Sequence, residues 1–416
     1  MFGPEATINR ASFANLAFGP RAMSWVRDSL GLAICFFVLI SPMPVKSDTG
    51  IHTRVRIAYV EWRPDRPPTL SNLHAIPTDQ GLEGARLGLR DVNAGGRFTG
   101  HELALSEYIF HQSDEISGTE LTRSRSEDII VANMPAAELL RLADQDWAKD
   151  ALIMNVFSPN NRLRESDCRT NILHTIPSRA MLSDALAQFL LRKRWNKWFL
   201  ISGGHPQDEK FSDSMKQSAQ KFGAKIVAQK TWLFDADMRR NVQAEVPLFT
   251  QGPDYDVLVL ADEIRDFGEY VLYHTWRPRP VVGTQGLHPV AWHGVIEQWG
   301  AAQLQKRFLT SAQRSMNDVD YAAWLAVSAV GEAVIRGGAK TAIQIGAYLQ
   351  SEKFKLAAFK GRRLSFRPWS GQMRQPIALV HHGALVSTSP QEGYLHQHTD
   401  LDTLGYDKRE STCKRG

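Results

Sequence analysis

From residue 54 onward, short aliphatic and β-branched runs alternate with stretches whose apolar residues recur every three to four positions. Parallel strands joined by crossover helices produce this pattern, so it predicts an α/β protein. Residues 54–60 (RVRIAYV) read as the opening strand, and 79–93 as a helix with Leu82, Ala85, Leu89 and Val92 on one face, stopped by Gly95-Gly96. Strands over 102–107 and 128–132, a helix over 135–145 and an apolar strand over 151–157 complete a first series. A second series opens with a strand at 171–176. It continues through a helix at 179–192, a strand at 197–202, a helix at 209–222 and strands at 224–230 and 256–261. Residues 265–273 read as helix and 280–283 as a short strand. Asn317 or Asp318 caps a long helix over 318–335 that ends at Gly337-Gly338, and 341–350 reads as another. Alternation over 362–387 (Leu364, Phe366; Ile377, Leu379, Val380) predicts antiparallel strands around a Ser370-Gly371 turn, while the polar residues after Pro390 have little periodicity. The expected architecture is two α/β halves, each a mainly parallel sheet flanked by helices, with an antiparallel appendix.

One segment stands apart, the apolar run LGLAICFFVLI at 30–40, which follows Arg21 and Arg27. A membrane-spanning helix needs about 20 apolar residues, whereas the centre of a signal peptide needs about 7–15. The run fits the second. Val45 and Ser47 occupy the −3 and −1 positions of a cleavage after Ser47, so the mature chain is expected to begin near Asp48 and to reside in the periplasm. Residues 1–22 fit no signal pattern, which makes Met23 an alternative start to Met1.

Composition narrows the class. The chain has 416 residues, 43% of them hydrophobic, enough for substantial cores and against disorder throughout. Three cysteines cannot staple so long a chain, so a disulfide scaffold is excluded. The net charge of +5 is spread along the whole length and forms no basic stripe, so no nucleic-acid partner is expected. Cys168 and Cys413 remain after cleavage, in a compartment where thiols oxidise. A bridge between them would tie the C-terminal tail to the middle of the chain and stabilise it by a few kcal/mol; two unpaired thiols are the alternative.

No Gly-x-Gly-x-x-Gly, phosphate-binding loop, Gly-x-Ser-x-Gly or His-Glu-x-x-His motif occurs. Ser218-Ala219-Gln220-Lys221 matches Ser-x-x-Lys but reads as the outer part of a helix, without companion motifs. His381-His382 and His396-x-His398 could ligate a metal, yet the first pair alternates across a strand and the second lies in the tail. Residues 192–198 (RKRWNKW) mix cations with aromatics but close a helix, where cations suit the dipole. No catalytic residue, metal or cofactor is expected, and the protein reads as no enzyme.

In open α/β sheets ligands sit beyond the carboxyl ends of the strands. The residues there are Glu61, Trp62 and Arg63; Asn133 and Met134; Ser158, Asn160 and Asn161; Gly203, Gly204 and His205; Asp262, Glu263 and Asp266; and Thr284, Gln285 and Gly286. Of these, Trp62, Arg63, Asn133, Ser158, Asn160, His205, Asp262, Glu263 and Gln285 are the candidate ligand-binding residues. Arg63 could meet a carboxylate, Asp262 or Glu263 a cation, and Trp62 an apolar part of a guest.

The segments Asp79-Gln80-Gly81-Leu82-Glu83-Gly84-Ala85 and Asp91-Val92-Asn93-Ala94-Gly95-Gly96, with the strand and helix order from 54 to 388, resemble the type I periplasmic binding proteins, the branched-chain amino-acid receptor group of ABC importers. Residues 173–182 (LHTIPSRAML) and 394–407 (YLHQHTDLDTLGYD) look like the branch associated with pyrroloquinoline-quinone (PQQ)-dependent alcohol dehydrogenase systems. The resemblance implies hinged lobes with crossings near Thr175, Leu309 and Leu356. It places 48–175 with 310–356 in one lobe, 176–309 with 357–388 in the other, and leaves 389–416 as a tail. It also implies a small-molecule ligand, ABC permease and ATPase partners, and a possible link to the periplasmic dehydrogenase. The family's Ser/Ala/Thr-rich ligand loops are replaced here by Ala132-Asn133-Met134-Pro135 and Ser158-Pro159-Asn160-Asn161, which leaves the ligand class open. A periplasmic sensor or accessory protein of the same fold is the alternative function.

Overall fold

The first strand, β1 (Thr53–Arg63), is buried on both faces, as a central parallel strand must be. Alternation sends Val55, Ile57 and Tyr59 into one apolar core and Ala58, Val60 and Trp62 into another. The computed structural model of the protein describes residues 53–63, 76–111, 128–233 and 242–415, so the apolar run at 30–40 and the expected cleavage site lie outside the described residues.

Helix α1 (Leu82–Asn93) follows β1, and the one-turn helix α2 (Gly96–Thr99) follows α1. The left-handed cap after them is Gly100, at φ 70°, and not the expected Gly95-Gly96. Then come β2 (His101–His111), β3 (Ile129–Asn133), α3 (Ala136–Ala143), β4 (Leu152–Asn155) and β5 (Ile172–His174). The parallel sheet runs β2-β1-β3-β4-β5. The strand expected to open the second series therefore closes the first sheet, where its apolar residues pair with β4.

The second lobe is built from α4 (Arg179–Arg192), β6 (Lys197–Gly203), α5 (Pro206–Phe222), β7 (Lys225–Trp232), α6 (Val242–Phe249), β8 (Val257–Ala261), α7 (Gly268–Val271) and β9 (Val281–Gly283). Its parallel sheet is ordered β7-β6-β8-β9. Helix α6 has no counterpart among the sequence expectations. The helix expected over 265–273 shrinks to α7, because Asp262 captures the N–H groups of Asp266, Phe267 and Gly268 and holds the preceding residues in a loop.

After β10 (His288–Val290) the chain returns to the first lobe. Helix α8 (Ala301–Ala312) places Ala301, Leu304 and Phe308 in the first core, alongside α9 (Asp318–Ile335) and α10 (Ala342–Gln350). Residues of β11 (Leu356–Ala357), β12 (Arg363–Phe366) and β13 (Met373–Arg374) join the same core. The chain then forms β14 (Ile377–His381) and β15 (Ala384–Ser389), antiparallel to each other, with β14 also antiparallel to β10. Leu287, Ile377 and Leu379 belong to the second lobe's core, whereas Val290, Ala378 and Val380 belong to the first. The second and third crossings thus lie near Val290 and Gln375 instead of Leu309 and Leu356.

Helix α1 lies close against α9. A Cβ on Gly84 would sit 1.9 Å from the Asp320 carbonyl oxygen, so any larger residue there would force the helices apart. Cys168 and Cys413 are joined in a disulfide with Cα atoms 5.7 Å apart. Among the described residues, no helix is long and apolar enough to cross a membrane.

Candidate functional site

The first lobe's rim grows out of β1, which runs three residues past its expected end. Glu61 and Arg63 consequently lie on the same face of the strand as Tyr59, and Trp62 on the other. The Tyr59 hydroxyl accepts from Asn133 Nδ2 at 2.8 Å and donates to the Gln80 carbonyl at 3.2 Å. Burial, reinforced by Glu61, pushes the Tyr59 phenol well above its ordinary pKa, so it stays neutral. Arg63 is held by its own chain: Nε donates to Glu61 at 2.7 Å, and Nη2 donates to the Thr78 carbonyl at 2.7 Å. The loop leading into α1 is fixed from α9, since Gly81 N donates to Asp320 Oδ1 at 2.7 Å while Arg314 bridges Asp79 and Asp320.

Trp62 is a core residue, 9% exposed, and packs with Phe110 and Met134. The expectation that it covers a guest molecule is corrected by strand periodicity. Trp62→Phe is expected to cost about 1–2 kcal/mol in chemical unfolding through lost packing, with ligand response unchanged.

In the second lobe, the ends of β6, β8 and β9 bring His205, Asp262, Glu263 and Gln285 together. Asp208 supports this rim from the first turn of α5, its carboxylate accepting from Glu263 N at 2.7 Å and from His205 N at 3.4 Å. Burial, helped by nearby Asp262, raises the Asp208 pKa to about 6. His205 Nε2 lies 3.1 Å from Asp266 Oδ2. Asp262 is fully buried and consumed by the loop N–H groups at 2.6–3.1 Å, so it is a loop cap and not a partner for a guest cation. Gln285 Nε2 donates to the Asp262 carbonyl at 2.9 Å, in space that a Cβ on Gly268 would fill. Glu263 does meet a cation, but one supplied by this chain: Arg179 at the start of α4 donates from Nε at 2.7 Å and from Nη2 as well.

Ser158 and Asn160 lie on the loop after β4, where Asn155 and Arg164 hold the Ser158 backbone and Asn160 caps the 3-10 turn Asn161–Arg164. This loop docks on the second lobe. Pro159 O accepts from Arg179 N at 2.9 Å, Asn161 Oδ1 accepts from Ala180 N at 3.0 Å, and Asn161 Nδ2 donates to Ser214 Oγ at 2.9 Å.

The rims therefore have two layers. Asn133, Ser158, Asp262 and Gln285 are buried and set the geometry, whereas the side chains of Arg63, Glu263, Asp266 and His205 keep 30%, 21%, 22% and 51% exposure. Tyr59, Gln80, Arg179 and Asp208 were not identified from sequence. No strand-end pattern marks a residue that reaches a rim from a helix start or from a neighbouring strand face. Ser218, expected on an outer helix face, is buried and donates to Asp184, so its match to Ser-x-x-Lys reflects a structural hydrogen bond. Among the described residues, no group of three or more His, Cys, Asp or Glu is placed to hold a metal ion.

The family model for periplasmic binding proteins matches residues 70–244. No curated protein matches the chain in sequence. Among solved structures, a branched-chain amino-acid ABC transporter periplasmic ligand-binding protein from Burkholderia xenovorans is 14% identical. The alignment covers 87% of this chain and 99% of that one, with a TM-score of 0.65. An ABC transporter substrate-binding protein from Sphaerobacter thermophilus is also 14% identical, covering 85% and 100%, with a TM-score of 0.65. A branched-chain amino-acid transporter substrate-binding protein from Streptococcus pneumoniae, solved with isoleucine, is 13% identical, covering 81% and 99%, with a TM-score of 0.58. Paired parallel sheets ending in polar rims, and this likeness along most of the chain, give it the two-lobed fold of the type I periplasmic binding proteins, whose family model its residues 70–244 match.

Proposed function

We propose that the protein is the periplasmic substrate-binding component of an ABC importer, which closes two lobes on a small polar solute and delivers it to permease and ATPase subunits. The observation that carries this reading is the layered rim at the strand ends of both sheets: Arg63, Glu263, His205 and Asp266 stay accessible while buried neighbours hold them in place. The transporter proteins that share the fold support it. The wording of residues 173–182 and 394–407 supports a link to a PQQ-dependent alcohol dehydrogenase system, and the run at 30–40 supports export. Glu263 with Arg179, and Arg63 with Glu61, offer paired charges of both signs, which suits a polar or zwitterionic guest.

Ligand screening by thermal shift tests the proposal, because a ligand that binds only the folded state stabilises it by about 1.4 kcal/mol for each tenfold excess over Kd. Amino acids, alcohols, carboxylates and pyrroloquinoline quinone form the panel. At least one class is expected to raise the melting temperature, and Glu263→Gln is expected to remove that rise. A flat response across the panel would overturn the receptor reading. It would also favour the sensor or accessory alternative, which the exposed Leu248, Tyr273 and Trp276 on the second lobe support as a docking surface (68%, 79% and 59% exposed).

A further inference from the structure

We propose that residues 390–415 form a limiting strap, packed on the second lobe and covalently fixed to the first, whose folded central turn sets how far the lobes can swing apart.

The strap's first half is embedded. Leu404 lies in the second lobe's core, Gln391 N donates to Gln188 of α4 at 3.0 Å, and Gly405 N donates to Asp184 of α4 at 2.8 Å. Asp402 accepts from Arg367 and Arg374, each at 2.8 Å, beside the third crossing, where displacement on opening is smallest. The far end belongs to the first lobe. Cys413 is bonded to Cys168, in the loop between β4 and β5, and Thr412 N donates to Glu165 at 2.7 Å. That loop is itself anchored, with Arg169 paired to Asp144 at 2.6 Å and Asn171 donating to Ala148 O at 2.9 Å.

Between the anchors the chain is coiled and mostly polar. Glu410 N and Ser411 N both return to the Asp407 carbonyl, at 3.1 and 2.9 Å, and the segment roofs a pocket of about 490 Å³ lined by Asp184, Ser214, Gln217, Lys221, Tyr406 and Glu410. Its contacts with the second lobe there are the exposed Lys221–Glu410 ion pair at 3.2 Å, an exposed Tyr406–Gln217 hydrogen bond at 2.9 Å and, at the embedded end, a partly buried donation from Lys221 Nζ to the Gly405 carbonyl at 2.8 Å. Solvent-exposed polar contacts of this kind are each worth about 1 kcal/mol or less. Eight peptide steps separate Gly405 from Cys413, a contour of about 27 Å when fully extended. Unwinding the turn supplies slack, and the disulfide ends the travel. The three backbone crossings permit rotation, and the strap, lying beside them, bounds it.

This inference uses the hinge motion of the receptor reading, but its test needs no ligand. Small-angle X-ray scattering of the unliganded protein compares wild type with the Cys168→Ala/Cys413→Ala variant and with a deletion of residues 408–409, which keeps the bond but shortens the strap. The double alanine variant is expected to have a larger radius of gyration, with amide exchange over 406–412 faster by about tenfold or more. The shortened strap is expected to have a smaller radius. Equal radii for the three folded proteins would overturn the proposal and leave the receptor reading intact. Reduction of folded wild-type protein by a phosphine provides the same comparison without mutation: a larger radius supports the strap, and an unchanged radius overturns it.

Discussion

Arg164→Met is expected to lower the unfolding free energy by about 3–5 kcal/mol. The guanidinium is 2% exposed and serves four acceptors: Gln372 Oε1 at 2.8 Å, the carbonyls of Ser158 and Asn160 at 2.8 and 2.9 Å, and the carbonyl of Ile176 at 3.1 Å. Burial, with Arg179 nearby, pushes its pKa down to about 9, so it is still charged at neutral pH. Methionine keeps the aliphatic stem but donates nothing, and each buried acceptor left without a donor costs about 1–3 kcal/mol before relaxation. Those acceptors belong to the rim loop after β4, the first crossing and the residue preceding β13, so the substitution loosens the hinge and rim together. Arg164→Lys is expected to recover only part of the loss, because an ammonium cannot hold a planar fork of donors in these directions. Guanidinium chloride unfolding at pH 7 measures both; a loss below about 1 kcal/mol for Arg164→Met would mean that water satisfies these carbonyls.

A second large effect is expected at buried Lys360 and half-buried Asp318, whose charges act on each other. Lys360 Nζ donates to Gln375 Oε1 at 2.8 Å and to the Pro376 carbonyl at 2.9 Å, and it lies 5.0 Å from the centre of the Tyr321 ring. Asp318 accepts from Trp292 N at 2.7 Å, beside the second crossing. Desolvation lowers the Lys360 pKa to about 7 and raises that of Asp318 to about 6, each partly opposed by the other's charge. Between about pH 4 and 6 the folded chain holds the Asp318 proton that the unfolded chain releases, so this group's contribution to stability falls as pH rises. Between about pH 7 and 10 the unfolded chain holds the Lys360 proton that the folded chain has released, so stability rises with pH. The pair's contribution is therefore expected to have a minimum between about pH 6 and 7. Replacing both by neutral residues of similar size, Lys360→Met with Asp318→Asn, is expected to flatten both limbs, at a pH-independent cost of about 1–3 kcal/mol for each of the Gln375 and Pro376 oxygens left without a donor. Lys360→Met alone leaves Asp318 uncompensated and is expected to destabilise at pH 6.5, where Lys360 still carries most of its charge and Asp318 is mostly ionised. Unfolding titrations at several pH values test this, and identical slopes in wild type and the double variant would refute the assignment.

The candidate site was legible in part. Strand ends picked out His205, Glu263 and Gln285, which the structure does bring together. Arg179, the cation that occupies Glu263, precedes it by 84 residues and sits at the start of a helix, so local pattern contains no sign of the pairing. Asp262 and Glu263 are adjacent carboxylates that look equivalent along the chain. Their difference lies in which loop N–H groups fold back on Asp262. Trp62 shows how sensitive such readings are to an element's boundary. Extending β1 by three residues keeps Glu61 and Arg63 with Tyr59 but commits the intervening indole to the opposite core.

Helix α4 and helix α9 have the bounds expected from the sequence, because the residues that cap them in the structure, Ser178 and the expected Asn317, act through hydrogen bonds only two or three residues away. Chain crossings behave differently. The residues 301–312 contain an apolar stripe that either lobe could bury, and only the packing of Leu304 and Phe308 into the first core assigns it. The sequence by itself determined what depends on near neighbours: the alternation of strand and helix, their caps, and the polar character of the strand ends. The tertiary structure alone decided which core each apolar face meets, which charges are already paired, and that Cys168 and Cys413 are joined across 245 residues, since those outcomes depend on contacts between segments remote in the chain.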